Sequence, residues 1–143
     1  MDIHDYMRSC ETKPFQWGQF DCCLFAAGAI EARTGIDCMK HTRNYDDEMT
    51  AAIQLRDSFG TAIVRDVFLQ IAERYNAKQI DLSEAEDGDI VCVQWPYLFQ
   101  KANSLDQSCG MAVFYRNQVL ACTVRGLISV PPSHRIIDVW SFT

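Results

Sequence analysis

The apolar residues of this chain change their spacing once, and that change limits the folds open to it. Up to about residue 75 they recur every three or four positions, as on helices buried along one side. From residue 90 onward they run continuously or alternate, as in strands. The spacing predicts a short lead helix over about 3–11 and a second from Asp21 to Arg33, with Phe20, Cys23, Leu24, Ala27 and Ile30 as its apolar stripe. Asp21 suits the N-cap and Gly35 the stop. A third helix is expected from Asp46 or Asp47 to Ser58, with Met49, Ala52, Ile53 and Phe59 along one side, and a fourth from Thr61 to Tyr75. Strands are expected over 90–95, 111–115, 118–122, 126–130 and 136–142, with Arg116-Asn117 as a tight hairpin turn. Helices first and a strand meander second predict an α+β fold: one domain over 1–143, its N-terminal helices packed on an antiparallel sheet of about five strands.

Charge narrows the class of function. With 13 basic and 19 acidic residues the chain carries a net charge of −6, which argues against binding driven by the charge of nucleic acid or anionic lipid. No apolar run approaches a membrane span, and Met1-Asp2-Ile3-His4-Asp5 lacks the basic start of a signal peptide. The expectation is synthesis in the cytoplasm without export by a signal peptide.

Seven cysteines are many for 143 residues, and their odd number and positions contain no C-x-x-C pair. A disulfide framework needs an oxidising compartment, and zinc or cluster sites need paired ligand spacings absent here. No metal or other cofactor is therefore expected, and most of the thiols read as small buried hydrophobes, Cys92 and Cys122 foremost.

Cys22 is the candidate for chemistry. It falls in the first turn of the second helix, where unpaired N–H groups and the helix dipole favour a thiolate. Cys23 lies a quarter-turn away, so only one of the two thiols faces a groove; Cys22, ahead of the apolar stripe, is the better candidate. Burial of both in a helix–sheet junction accounts for the same spacing. A cysteine hydrolase also needs a base. The three histidines, His4, His41 and His134, occupy loop-like or terminal positions, and none lies on the central strands. The acidic run Asp81, Glu84, Glu86, Asp87, Asp89 does not match a calcium loop and reads as a solvated connection. Aromatic residues Phe15, Trp17, Phe20, Trp95, Tyr97, Phe99 and Trp140 either line a binding surface or cap the core. Trp17 and Trp140 lean to the core, and Tyr97 and Phe99, in an irregular excursion over 96–107, lean to partner contact; Trp17, Tyr97 and Phe99 are the candidate binding residues.

The motif Phe15-x-Trp17-Gly18-x-x-Asp21-Cys22-Cys23-x-Phe25-Ala26, with Thr34-Gly35-x-Asp37 and Tyr45 after it, resembles a family of small phage and prophage proteins of unassigned function. That family is similar to the NlpC-type cell-wall peptidases, which have a papain-like fold. Asp21-Cys22 matches their nucleophile pair and Gly88-Asp89-Ile90-Val91 a strand entry, while Ser108-Cys109-Gly110-Met111 falls where those peptidases carry His-Val-Gly. The resemblance thus implies Ser108 at the base position and Leu120 near the third polar position, neither able to replace an imidazole and its orienting group. It implies a phage tail-tip structural or assembly protein with a degenerate cysteine-peptidase fold, located in the virion and bound to other tail hub proteins. The alternative is an active hydrolase that cuts peptidoglycan stem peptides during genome entry, with Cys22 as nucleophile and His41 or His134 as base.

Overall fold

The computed structural model describes residues 1–94, 109–131 and 135–143. The expected excursion over 96–107, with Trp95, Tyr97 and Phe99, and the positions Ser108 and His134 lie outside the described residues. Four α-helices stand among those described: α1 (Ile3–Cys10), α2 (Cys22–Thr34), α3 (Glu48–Phe59) and α4 (Val64–Arg74). Six strands follow: β1 (Lys78–Gln79), β2 (Ile90–Gln94), β3 (Cys109–Tyr115), β4 (Gln118–Thr123), β5 (Gly126–Ser129) and β6 (Arg135–Ser141). The α+β expectation holds.

Capping sets where the helices begin and end. The Asp21 side chain accepts the Leu24 N–H at the start of α2, and Asp47 and Thr50 cap α3 reciprocally. Gly35 and Gly60 close α2 and α3 in the left-handed region, at φ 77° and 74°. The last helix starts later than its apolar spacing suggests: the Thr61 hydroxyl accepts the Ile63 N–H, and that local turn holds the chain out of the helix until Val64.

One expectation about α2 needs correction. It is not a one-striped helix but a buried one, with Phe25, Ala26, Ala27, Ala29 and Ile30 all at most 1% exposed. The sheet takes one side, and α1 covers another with the Tyr6 hydroxyl donating to the Phe25 carbonyl at 2.7 Å. Gly28 makes that approach possible, because a Cβ there would overlap the Tyr6 ring.

The sheet is antiparallel in every pair, in the order β1-β6-β2-β3-β4-β5. Among the described residues it has six strands, against about five expected. The extra one, Lys78–Gln79, is two exposed polar residues on the β6 edge, with no apolar signal to announce it. The last strand, β6, runs back to the middle and pairs with β2, with Trp140 opposite Ile90. At the hairpin between β3 and β4, Arg116 and Asn117 take φ 49° and 63°, as the expected tight turn requires.

The core lies between sheet and helices. Large side chains such as Phe25, Phe68, Met111 and Trp140 fill that side, Cys92 and Cys122 among them as expected. The other face is a smaller cluster of Val91, Val93, Ala112, Ala121 and Val139. Two buried carboxylates clamp helices to strands: Asp89 takes the Arg33 guanidinium from α2, and Asp138 takes Arg65 from α4 at 2.7 Å. No helix among the described residues is long and apolar enough to cross a membrane.

Candidate functional site

The turn before α2 is held by one carboxylate. Asp21 is 1% exposed, yet it accepts from three donors: Leu24 N at 3.0 Å, Gly18 N at 3.1 Å and the Tyr45 hydroxyl at 2.5 Å. A buried carboxylate is costly unless such donors surround it. Burial, with the nearby thiols and Asp21, pushes the Tyr45 hydroxyl well above its usual range, so it stays protonated and keeps donating. Gly18 sits against the Tyr45 backbone at φ 79°, where any Cβ would overlap the Tyr45 carbonyl. The segment 15–21 and the loop around Tyr45 are therefore locked together, and the start of α2 is fixed with them.

Cys22 is the first residue of α2 and half-buried, while Cys23 is buried, as the spacing suggested. The N–H groups of Cys22 and Cys23 precede the first intrahelical bond, from Phe25 N to the Asp21 carbonyl. Contact with the Cys22 thiol, then burial, raises the Cys23 thiol well above its usual value, leaving Cys23 a neutral neighbour.

Both thiols line a cleft of about 490 Å³. Its walls are Trp17 and Asp21 on one side, Met49, Ala52 and Ile53 of α3, Val64 of α4, and Cys109 and Gly110 at the start of β3. Trp17 is half-buried, packs against the main core cluster edge-on to Phe15 at 5.2 Å, and also forms a wall of the cleft. Trp140 is the core aromatic, at 2% exposed.

The apolar side expected for the third helix is divided: Ala52 is buried and Phe59 half-buried, whereas Met49 and Ile53 are 72% and 48% exposed and line the cleft. Ala51, Ala52 and Leu55 are the buried residues of α3. Small residues allow the helix to dock closely, and the larger ones are left to the open side.

The position of a base is the next question. Among the described residues no histidine lines the cleft. His4 is not idle as expected: it lies on α1, with its Nδ1 2.8 Å from the Tyr115 hydroxyl. His41 is exposed and lines a different pocket. Ser108 lies outside the described residues, but the two residues after it, Cys109 and Gly110, border the cleft. Leu120 is a half-buried residue of β4 opposite Val113, and its side chain has no polar group to orient anything. The ionisable groups that do line the cleft are Tyr45, Glu48, Arg56, Asp21 and the thiols. Of these Asp21 is committed to its three donors, and a guanidinium does not accept protons at ordinary pH. Among the described residues the arrangement places a thiol in a cleft with an apolar wall and brings no imidazole to it.

Among the described residues no group of three or more His, Cys, Asp or Glu side chains is placed to hold a metal ion. Sequence reasoning missed the part played by Met49 and Ile53, and met Tyr45 only as a motif letter. A large apolar pair at i and i+4 beside a run of alanines was the available signal.

Comparison with known proteins places the chain in a family without giving it an activity. Neither a curated protein nor a solved structure matches it. Over residues 1–142 the sequence matches the family described as a domain of unknown function (DUF6950), and the chain belongs to that family.

Proposed function

We propose that this chain is a structural or assembly protein of a phage tail tip, a papain-like, NlpC-type fold whose peptidase chemistry has been lost. The observation that carries the reading is the composition of the cleft: a fixed Cys22 at a helix start, an apolar wall of Trp17, Met49 and Ile53, and no imidazole among the described lining residues. A site built this way holds a partner's side chains and does not activate a nucleophile. The exposed Met49 supplies an adaptable contact, because its unbranched thioether fits irregular surfaces. The partners are other proteins of the tail hub, and the place of action is the virion. Support for the phage assignment is the resemblance of the Trp17-Gly18-x-x-Asp21-Cys22 segment to small phage proteins.

The direct test is mass spectrometry of purified virions and tail-assembly intermediates from a phage that encodes this chain. The protein should be present in one or both, and tails made without it should be incomplete. Its absence from both would sink the assembly reading.

An active cysteine hydrolase is the second reading, favoured by the half-buried thiol of Cys22 at the head of α2 in an open cleft. Incubation with murein fragments separates the two. Turnover that Cys22→Ala abolishes would establish the hydrolase, whereas thiol labelling without turnover supports the assembly protein.

A further inference from the structure

The loop between α2 and α3 borders a second pocket, of about 360 Å³, which has a different chemistry. Lys40 and His41 of the loop and Arg74 at the end of α4 line it. None of the three has an ion pair or hydrogen bond among the described residues. The other basic side chains of the helical half are mostly committed, with Arg8, Arg33, Arg43 and Arg65 each on an aspartate. Asp37 also lines the pocket, but its Oδ1 is held by the Arg43 guanidinium at 2.6 Å and the Met39 N–H at 3.2 Å. That pair cancels locally.

Two helices end here, and their dipoles work against an anion. Each C-terminus is equivalent to about half a negative charge, so together they offset roughly one of the two positive charges of Lys40 and Arg74. The offset is reduced because the last turns are capped: Phe59 O accepts the Gln70 side chain at 2.9 Å, and Ala72 O accepts the Ala77 N–H at 2.8 Å. The pocket is left positive in a chain of net charge −6, by about one charge from Lys40 and Arg74. Thr42, buried, donates its hydroxyl to Ser58 Oγ at 3.0 Å, which leaves the Ser58 proton for another acceptor.

We propose that this pocket is a binding site for carboxylate groups, supplied by an acidic segment of a partner polypeptide. Charge decides the class. One net positive charge with hydroxyl donors matches a carboxylate, and the half-buried rings of Phe59 and Tyr75 give its carbon stem an apolar wall. The polypeptide source rests on the assembly reading above; the anion site rests on the pocket alone.

The test is an amide-shift titration of the full chain at low salt with a capped hexaglutamate peptide, with capped hexaglutamine and inorganic phosphate as separate arms. Hexaglutamate should move amides in 37–42, 58–59 and 74–75, and Lys40→Glu with Arg74→Glu should weaken it by about tenfold or more, with added salt acting in the same direction. Val124→Gln, at an exposed position between β4 and β5 that lines neither pocket, should leave the response unchanged. Circular dichroism of the double variant checks that it folds, and Lys40→Gln with Arg74→Gln should show an intermediate loss. Absence of shifts, shifts that survive the charge reversal, or an equal response to hexaglutamine would overturn the site. Phosphate binding as tight as hexaglutamate would overturn the assignment to a polypeptide carboxylate. The titration does not depend on phage biology, so absence from both virions and tail-assembly intermediates would end the assembly reading and leave this result standing.

Discussion

The loop from Gly35 to Asp47 serves two pockets that solve opposite problems. At its far end Tyr45 helps bury a carboxylate among three donors, and every group around Cys22 is held in one geometry. At its near end Lys40 and His41 stand exposed beside Arg74, rich in charge and short of contacts that fix them. The first site has precision, with no imidazole among its described lining residues. The second has attraction without precision. Buried polar networks are expensive and persist only when fully satisfied, whereas exposed charges cost little and can be exchanged freely. The contrast teaches that the geometry at Cys22 is a property of the fold, while the charge at Lys40 is available for binding.

The largest effect should come from removing the pivot of the first site. Asp21→Ala orphans the Tyr45 hydroxyl and two backbone N–H groups, and should cost about 3–5 kcal/mol in denaturant unfolding. Lys40→Ala and Arg74→Ala should each stay within about 0.5 kcal/mol by the same measurement. Comparable losses at both places would break the contrast.

Alkaline pH should sharpen it next. Burial pushes the Cys38 thiol up to about 12, and Cys10 and Cys122 are raised by burial as well. A thiol in the unfolded chain ionises near its ordinary value of about 8.5, so above that the unfolded state sheds protons that the folded state retains. Stability is therefore fully present below about pH 8.5 and falls as pH rises toward the folded value, by up to about 1.4 kcal/mol per pH unit for each such thiol. Urea midpoints from pH 7 to 10 read this directly. A flat profile would mean that the thiols are not sequestered.

A milder change tests one contact. Tyr45→Phe leaves Asp21 with two donors and should cost about 1–2 kcal/mol, less than half the Asp21→Ala effect. An effect as large as that of Asp21→Ala would assign the stability to the ring of Tyr45 and not to its hydroxyl. A similarly small change in stability, no more than about 0.5 kcal/mol, belongs to Met49→Asp with Ile53→Asp, which under the assembly reading should abolish capture of a tail-hub partner. Retained capture would remove the cleft from the interface.

Much of this was legible in the sequence where local chemistry decides. Asp21, Asp47, Gly35 and Gly60 mark helix ends because capping depends on neighbours only a few residues away. The φ values of Arg116 and Asn117 follow from the two-residue connection in the same way. What spacing does not carry is which neighbour covers which face. It showed that α3 has an apolar side but not that Ala51 and Leu55 would take the core and leave Met49 and Ile53 to the cleft. It gave α2 one stripe, because burial on a second side depends on Tyr6 meeting Gly28 across α1. The thiol of Cys22 was found from its place in the helix. The bond from His4 to Tyr115, spanning more than a hundred positions, has no local signature.

The sheet ends at both margins in short strands: two residues at β1, one of them Lys78, and four at β5. A margin that short offers few backbone groups to an incoming chain, and a lysine on it repels close stacking. Copies of this protein are thereby discouraged from pairing edge to edge. Side chains that line a hollow can be exchanged one at a time without rebuilding the sheet, so under the proposed assembly role its specificity would be tuned there and not at the strand margins.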